Sequence, residues 1–213
     1  MGKNLNKIFR SLFTTGFLLS AIALSVWAGT PPLTKGGKLP SITLPIPENP
    51  TEKSYLGLSG VGRTFKLHQI KAQAVIIKVF NIYCPVCQAT ATAITELYHR
   101  IQNDPDLRNK IRLIGIGAGN TPYEIKVFRE THKIPFPIFP DEDFTIYHAL
   151  GETRTPYIIA SKINRDGSQD VVYTQPGAFT EAGSFLELIL GAYGFKQKSP
   201  SFNKEGDTLL ITN

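Results

Sequence analysis

The run AVIIKVFNIYCPVC, Ala74 to Cys87, constrains this chain more than any other stretch. Its first ten residues are nearly all apolar and rich in β-branched side chains, as in a strand covered on both faces. Two cysteines follow at once, separated by Pro85 and Val86, and the 213 residues hold no third. Ile94, Leu97, Tyr98 and Ile101 then recur at helical spacing until NDPD, Asn103 to Asp106, stops the pattern. The chain must therefore carry a cysteine pair from the end of a buried strand to the start of a helix.

The remaining patterns fit around that unit. IRLIGIGAG reads as a second buried strand, followed by a helix near 122–133 capped by Thr121. FPIFPDEDFTIYHALG predicts a short strand, an Asp cap and a short helix ending at Gly151. YIIASKI, the turn NRDG and DVVYTQ predict a hairpin, and TEAGSFLELILGAYG a last amphipathic helix. Upstream, a short strand pair is expected within 42–67. The order β-α-β-α-β-α-β-β-α implies a three-layer α/β sandwich around a central mixed sheet. The expected organisation is a targeting segment over 1–28, an extended Pro- and Gly-rich linker over 29–54, one domain over 55–194 and a polar tail over 195–213.

Three uses compete for Cys84 and Cys87. A structural disulfide at this spacing closes a very small loop and contributes little by chain entropy. A zinc site needs four ligands, and a second CxxC is missing. A redox dithiol needs two sulfurs within bonding reach, the first at a helix N-terminus where free N–H groups favour the thiolate. Pro85 suits a first helical turn, where its missing N–H costs nothing, and Cys87 falls one turn on, facing Cys84. The context favours the redox use.

The N-terminus bears on this choice. MGKNLNKIFR is basic, and the following run from Ser11 to Gly29 is 19 residues without charge. Val26 and Ala28 are the small residues of a cleavage site, so 1–28 has the layout of a secretory signal peptide; the competing reading is an uncleaved anchor. Either way the rest is exported, to a compartment where disulfides persist. Lys3, Lys7 and Arg10 supply half of the net charge of +6. The remainder forms no basic stripe interleaved with aromatics and does not argue for a nucleic-acid partner.

Strand–CxxC–helix followed by RTPYII at a later strand resembles the thioredoxin superfamily. The stretch YHALGETRTPYIIASKINRDGSQDVVYTQPGAF is similar to its redoxin branch, which contains the exported TlpA/ResA-like thiol-disulfide oxidoreductases and the peroxiredoxins. The match spans roughly 42–193. The resemblance implies a thioredoxin-like fold, with Cys84 as nucleophile and Cys87 as resolving thiol. It also implies a cis-proline at Pro156 beside the disulfide, and Thr155 offering backbone hydrogen bonds to a substrate chain. Tyr83, Pro85 and Val86 would border that substrate, and Tyr83 stands where thioredoxins place Trp.

Lys78 departs from the pattern. Six residues before the first cysteine, thioredoxins bury an acid that handles the resolving thiol's proton. A lysine mid-strand either snorkels its ammonium to the surface or lies near Cys87, stabilising its thiolate or relaying its proton. The peroxiredoxin motif P-x-x-x-T-x-x-C, laid on Cys84, would need Pro in place of Ile77 and Thr in place of Asn81. A copper carrier would need a histidine near the thiols, and His68, His99, His132 and His148 are all distant in sequence. The expectation is an exported thiol-disulfide oxidoreductase working as a reductant without a bound cofactor. Its partners would be a protein disulfide and an upstream membrane or periplasmic reductant, with membrane contact only if the N-terminal segment is retained.

Overall fold

The structure, a computed structural model, describes residues 31–60 and 62–195. The expected signal peptide, the only tryptophan (Trp27) and the tail beyond Phe195 lie outside the described residues. Among the described residues no helix is long and apolar enough to cross a membrane.

β3 (Ala74–Phe80) is the middle of a five-stranded sheet, and all seven of its residues are buried. It runs parallel to β4 (Ile111–Ala118), which is parallel to β5 (Ile138–Asp141), and antiparallel to β6 (Tyr157–Ile163). β6 forms the expected hairpin with β7 (Gln169–Pro176), giving the mixed order β5-β4-β3-β6-β7.

Period-two alternation sorts β3 between two layers. Ala74, Ile76 and Phe80 face α3 (Ala91–Asn103), α4 (Pro122–His132) and α6 (Ala182–Tyr193), where Ile94, Leu97, Ile125, Phe128, Phe185 and Ile189 meet them. Val75, Ile77 and Val79 face the other layer. It is built from the ribbon of β1 (Thr43–Pro45) and β2 (Thr64–Lys66), from Leu56 at the end of α1 (Pro50–Tyr55), and from Ile146 and Tyr147 of α5 (Thr145–Ala149). Each fully buried Ile or Leu contributes about 1.5–3 kcal/mol, so the two layers rather than helix propensity hold the sheet.

The structure departs from the sequence reading in three places. Part of the stretch read as an extended linker is packed: Leu39, Ile42 and Leu44 are buried, and Asn49 caps α1 by accepting from Thr51 N at 2.9 Å. Asn–Pro–x–Glu is a helix start, with Pro50 at a position that needs no N–H. The helix after the cysteines is broken into α2 (Pro85–Ala89) and α3 at Thr90, whose hydroxyl reaches back to Val86 O at 3.0 Å and Cys87 O at 3.2 Å. Phe195, read from the sequence as the first residue of the polar tail, packs on Tyr193 with ring centroids 5.4 Å apart.

Candidate active site

Asn81 begins the turn from β3 into α2. Its side chain donates to Ala118 O at 2.8 Å and accepts from Tyr83 N at 2.8 Å, while its carbonyl accepts from Cys84 N at 3.1 Å. Asn120, fully buried, accepts from Ile82 N at 3.1 Å, and Gln88 donates to Ile82 O at 2.7 Å. Gly117 leaves room for this: a Cβ there would lie 2.3 Å from Ile125 Cδ1 and 3.2 Å from Asn120 Oδ1. The Tyr83 hydroxyl donates to Glu124, whose carboxylate also accepts from Thr121 N in the capping box that opens α4. The turn is thus tied to β4 and α4 before the cysteines begin.

Cys84 is the N-cap of α2, with extended backbone angles (φ −78°, ψ 115°), and Pro85 occupies the first helical position. Both cysteines are free thiols; Cys84 is half-buried and Cys87 has no exposed surface. Their environments push them apart. For Cys84 partial burial opposes ionisation. Hydrogen bonds from the Cys87 side chain and backbone, the Thr155 side chain and the Val86 backbone outweigh it, so its pKa is lowered. Burial is the leading cause that raises Cys87 to about 11, with Cys84 adding to it and the Asn81 backbone and Lys78 pulling the other way.

The strand-start proline faces this pair. Thr155–Pro156 is a cis peptide bond. Cys84 Sγ lies 3.6 Å from Thr155 O, a contact 71 residues apart in sequence, so the structure brings these expected site residues together. Around Cys84 the surface is apolar and open: Tyr83 is 68% and Val86 49% exposed, and Pro85 is exposed.

Lys78 does not snorkel; only 4% of it is exposed. It sits on the central strand, between Gly115 of β4 and Ile158 of β6, under a full layer of helices. Its ammonium donates to Thr90 Oγ1 at 3.3 Å and lies 5.8 Å from the Phe80 ring centroid. Burial lowers its pKa to about 8, against the opposing pull of Cys87 and Cys84.

The sequence reading missed Thr90, Asn81, Asn120 and Glu124. Glu124 completes the Thr121-x-x-Glu capping box, a signal the sequence carries; Asn81 and Asn120 are marked only as polar residues closing two buried strands, and Thr90 by nothing. The histidines are elsewhere: His132 packs against Phe128 with the rings tilted (4.4 Å), His148 pairs with Glu152 (2.9 Å) and His99 packs on Tyr98 (5.4 Å). Among the described residues no group of three or more His, Cys, Asp or Glu could hold a metal ion.

The sequence matches no curated protein. Its structure is similar to several solved ones. The thioredoxin domain of a thiol-disulfide oxidoreductase of Bacteroides vulgatus matches with a TM-score of 0.54 and 14% identity, over 74% of this chain and 99% of that one. A Chlorobium tepidum protein described as a thiol:disulfide interchange protein DsbE matches with a TM-score of 0.54 and 16% identity, over 76% and 99%. An uncharacterized conserved protein of Geobacillus kaustophilus matches with a TM-score of 0.55 and 18% identity, over 78% and 87%. At these identities the likeness establishes the thioredoxin-like fold. The AhpC/TSA family model matches residues 36–179, more than half of the sequence, and the chain belongs to the AhpC/TSA family.

Proposed function

We propose that the protein is an exported thiol-disulfide oxidoreductase that reduces protein disulfides through Cys84 and Cys87. The observation that carries this reading is the asymmetry of the pair: an accessible sulfur with a lowered pKa at a helix N-cap, backed by a buried sulfur with a raised one. Family membership and a fold shared with a thiol-disulfide oxidoreductase support it. So does the basic, then apolar, N-terminus for export.

The Cys84 thiolate attacks one sulfur of a substrate disulfide, forming a mixed disulfide and releasing the other sulfur as a thiolate. Cys87 loses its proton and attacks Cys84 Sγ; the electron pair of the Cys84–substrate bond leaves on the second substrate sulfur. The substrate gains two electrons and two protons, and a separate thiol reductant must regenerate the dithiol. Thr155 and Pro156 border the substrate chain, and Tyr83, Pro85 and Val86 offer it an apolar rim.

The direction follows from what surrounds Cys84. Pro85 and Val86 add neither charge nor side-chain donor to stabilise the reduced form, and the Lys78 ammonium, attracted to the two cysteines, is the one group that pulls the potential the other way. A midpoint nearer the thioredoxin value of about −270 mV than the about −120 mV of the strongest oxidants is expected. Peroxide reduction is the weaker reading, because Ile77 and Asn81 stand where a peroxidatic motif needs Pro and Thr. Asn81 is moreover committed to the turn.

The test is to express Cys87→Ala in the native host and recover mixed disulfides at Cys84. Reducible adducts with exported, cysteine-containing proteins are expected. Their absence, with wild-type protein instead consuming peroxide, would replace this reading by thiol peroxidase activity.

A further inference from the structure

Lys78 is a buried cation whose one polar contact is the neutral Thr90 hydroxyl. No carboxylate among the described residues forms an ion pair with it. The groups facing it can be named element by element. β4 presents Gly115 and β6 presents Ile158. α3 presents Ile94, α4 Phe128, and the segment leading into β5 presents Ile134, Phe136 and Ile138. Thr90, between α2 and α3, supplies the one polar contact, and its own hydroxyl is shared with Val86 O and Cys87 O. None of these titrates. The titratable groups that act on Lys78 are Cys87 and Cys84. The cavity beside it is about 10 Å³, room for about one water at most, so no water chain links the amine to solvent on that side.

We propose that Lys78 holds the proton of the redox couple: its amine is protonated when the Cys84–Cys87 disulfide is reduced, and released from that proton when the disulfide forms. The proposal rests on the reading of Cys84 and Cys87 as that couple. The physical reason is compensation. A disulfide carries no charge, and an ammonium enclosed by Phe80, Phe128, Phe136 and isoleucines is then a buried charge without a partner. Negative charge on the reduced pair supplies the partner, Cys87 acting on Lys78 more strongly than Cys84. The lowering of Lys78 by burial and the opposing effect of the two cysteines run in the directions this requires.

The atoms balance over one turnover. The starting state is Lys78 ammonium, Cys84 thiolate and Cys87 thiol. Attack by Cys84 on the substrate disulfide removes the anion; the Lys78 ammonium gives up its proton, and the departing substrate thiolate is protonated from solvent. The neutral amine then takes the proton of Cys87, whose thiolate attacks Cys84 Sγ and expels the second substrate thiolate. That thiolate is protonated from solvent as Lys78 gives up the proton it took from Cys87. The end state is a disulfide, a neutral Lys78 amine and two substrate thiols. The Lys78 ammonium bonds Thr90 and not the sulfurs, so it is a positioning and proton-holding residue. A carboxylate there would instead be charged beside a thiolate, reversing the electrostatics.

The experiment is the midpoint potential of the full chain as a function of pH, in dithiothreitol or glutathione buffers, for wild type and Lys78→Met. Methionine fills the space and removes the titration. Between the amine's pKa in the disulfide form and its higher pKa in the dithiol form, wild type takes up one proton more per two electrons. The equilibrium constant then changes tenfold more per pH unit than in Lys78→Met, a slope steeper by about 30 mV per pH unit. Parallel slopes from about pH 6 to about pH 9 would overturn the proposal while leaving the dithiol reading intact. A wild-type protein with no reversible Cys84–Cys87 couple would overturn both. A second measurement needs no variant: the Lys78 side chain, labelled and titrated by NMR in wild type, should show a higher pKa in the reduced than in the oxidised protein. Equal values would overturn the assignment.

Discussion

Val75, Ile77 and Val79 look into one layer of the molecule, and Ala74, Ile76, Lys78 and Phe80 into the other. The strand, its neighbours and the degree of burial are common to both faces. On the first face Val75, Ile77 and Val79 are all apolar and pack with Leu44, Leu56, Phe65, Leu67, Ile114 and Phe139, while the neighbouring strands set buried Arg112 and Ser161 beside Val75, each with hydrogen-bond partners. On the second, one lysine interrupts the pattern, and it lies on the face that also receives Cys87. Among the described residues, the first face carries no group that faces the cysteines. The second gives up some apolar packing to place a charge under the dithiol.

The largest effect that would sharpen this contrast is a lysine on the wrong face. Ile77→Lys buries an ammonium with no thiol near it, at a penalty on the order of several kcal/mol, a large part of a stability of about 5–15 kcal/mol. Thermal melts should show the fold lost or severely weakened. A variant as stable as wild type would mean that β3 tolerates charge on either face and that Lys78 is nothing special.

The converse substitution comes next. The Lys78 pKa falls from 10.5 to about 8 on folding, which at about 1.4 kcal/mol per unit costs on the order of 3 kcal/mol. The sign follows from linkage. Between about pH 8 and pH 10.5 the unfolded chain binds the proton that the folded one has lost, so wild-type stability from this group rises with pH there. Lys78→Met should therefore be the more stable protein at pH 7, and its advantage should shrink across that window. Melts at several pH values in reducing buffer check both points. A destabilised Lys78→Met would show that the lysine is needed for packing.

A small effect separates the rim from the core. Tyr83→Phe removes a donor from Glu124, whose pKa is lowered chiefly by that hydrogen bond and then by Thr121. Its carboxyl should titrate at a higher pH by NMR, while the melting temperature and the Cys84–Cys87 couple stay where they are. A change in the couple would make Glu124 part of the site's electrostatics.

Most of the fold was legible because it rests on periodicity. β3 and β4 read as buried runs, α3 and α6 as stripes, and Thr121 as a cap, and each signal is local. The α1 helix was hidden because its Asn49–Pro50 start sits in a segment whose prolines also suit extended chain. The break at Thr90 was hidden because Thr carries no sign of which carbonyl its hydroxyl will find. The cysteine pair was legible from spacing and place. The fate of Lys78 was not: whether a strand lysine reaches water depends on strand order and on which helices cover it. Both are fixed by contacts such as Lys78–Gly115 and Lys78–Ile158, made by residues far apart in the chain. The lowering of Cys84 likewise draws in part on Thr155, 71 residues away in the chain.

The central claim is that Cys84 and Cys87 form one reversible, reducing couple. Equilibrating the protein with defined thiol–disulfide buffers at pH 7 and quantifying the Cys84–Cys87 disulfide by alkylation and mass spectrometry tests it most directly. The account predicts a single two-electron transition closer to about −270 mV than to about −120 mV. No intramolecular disulfide at any poise, or a midpoint more oxidising than about −180 mV, would contradict it.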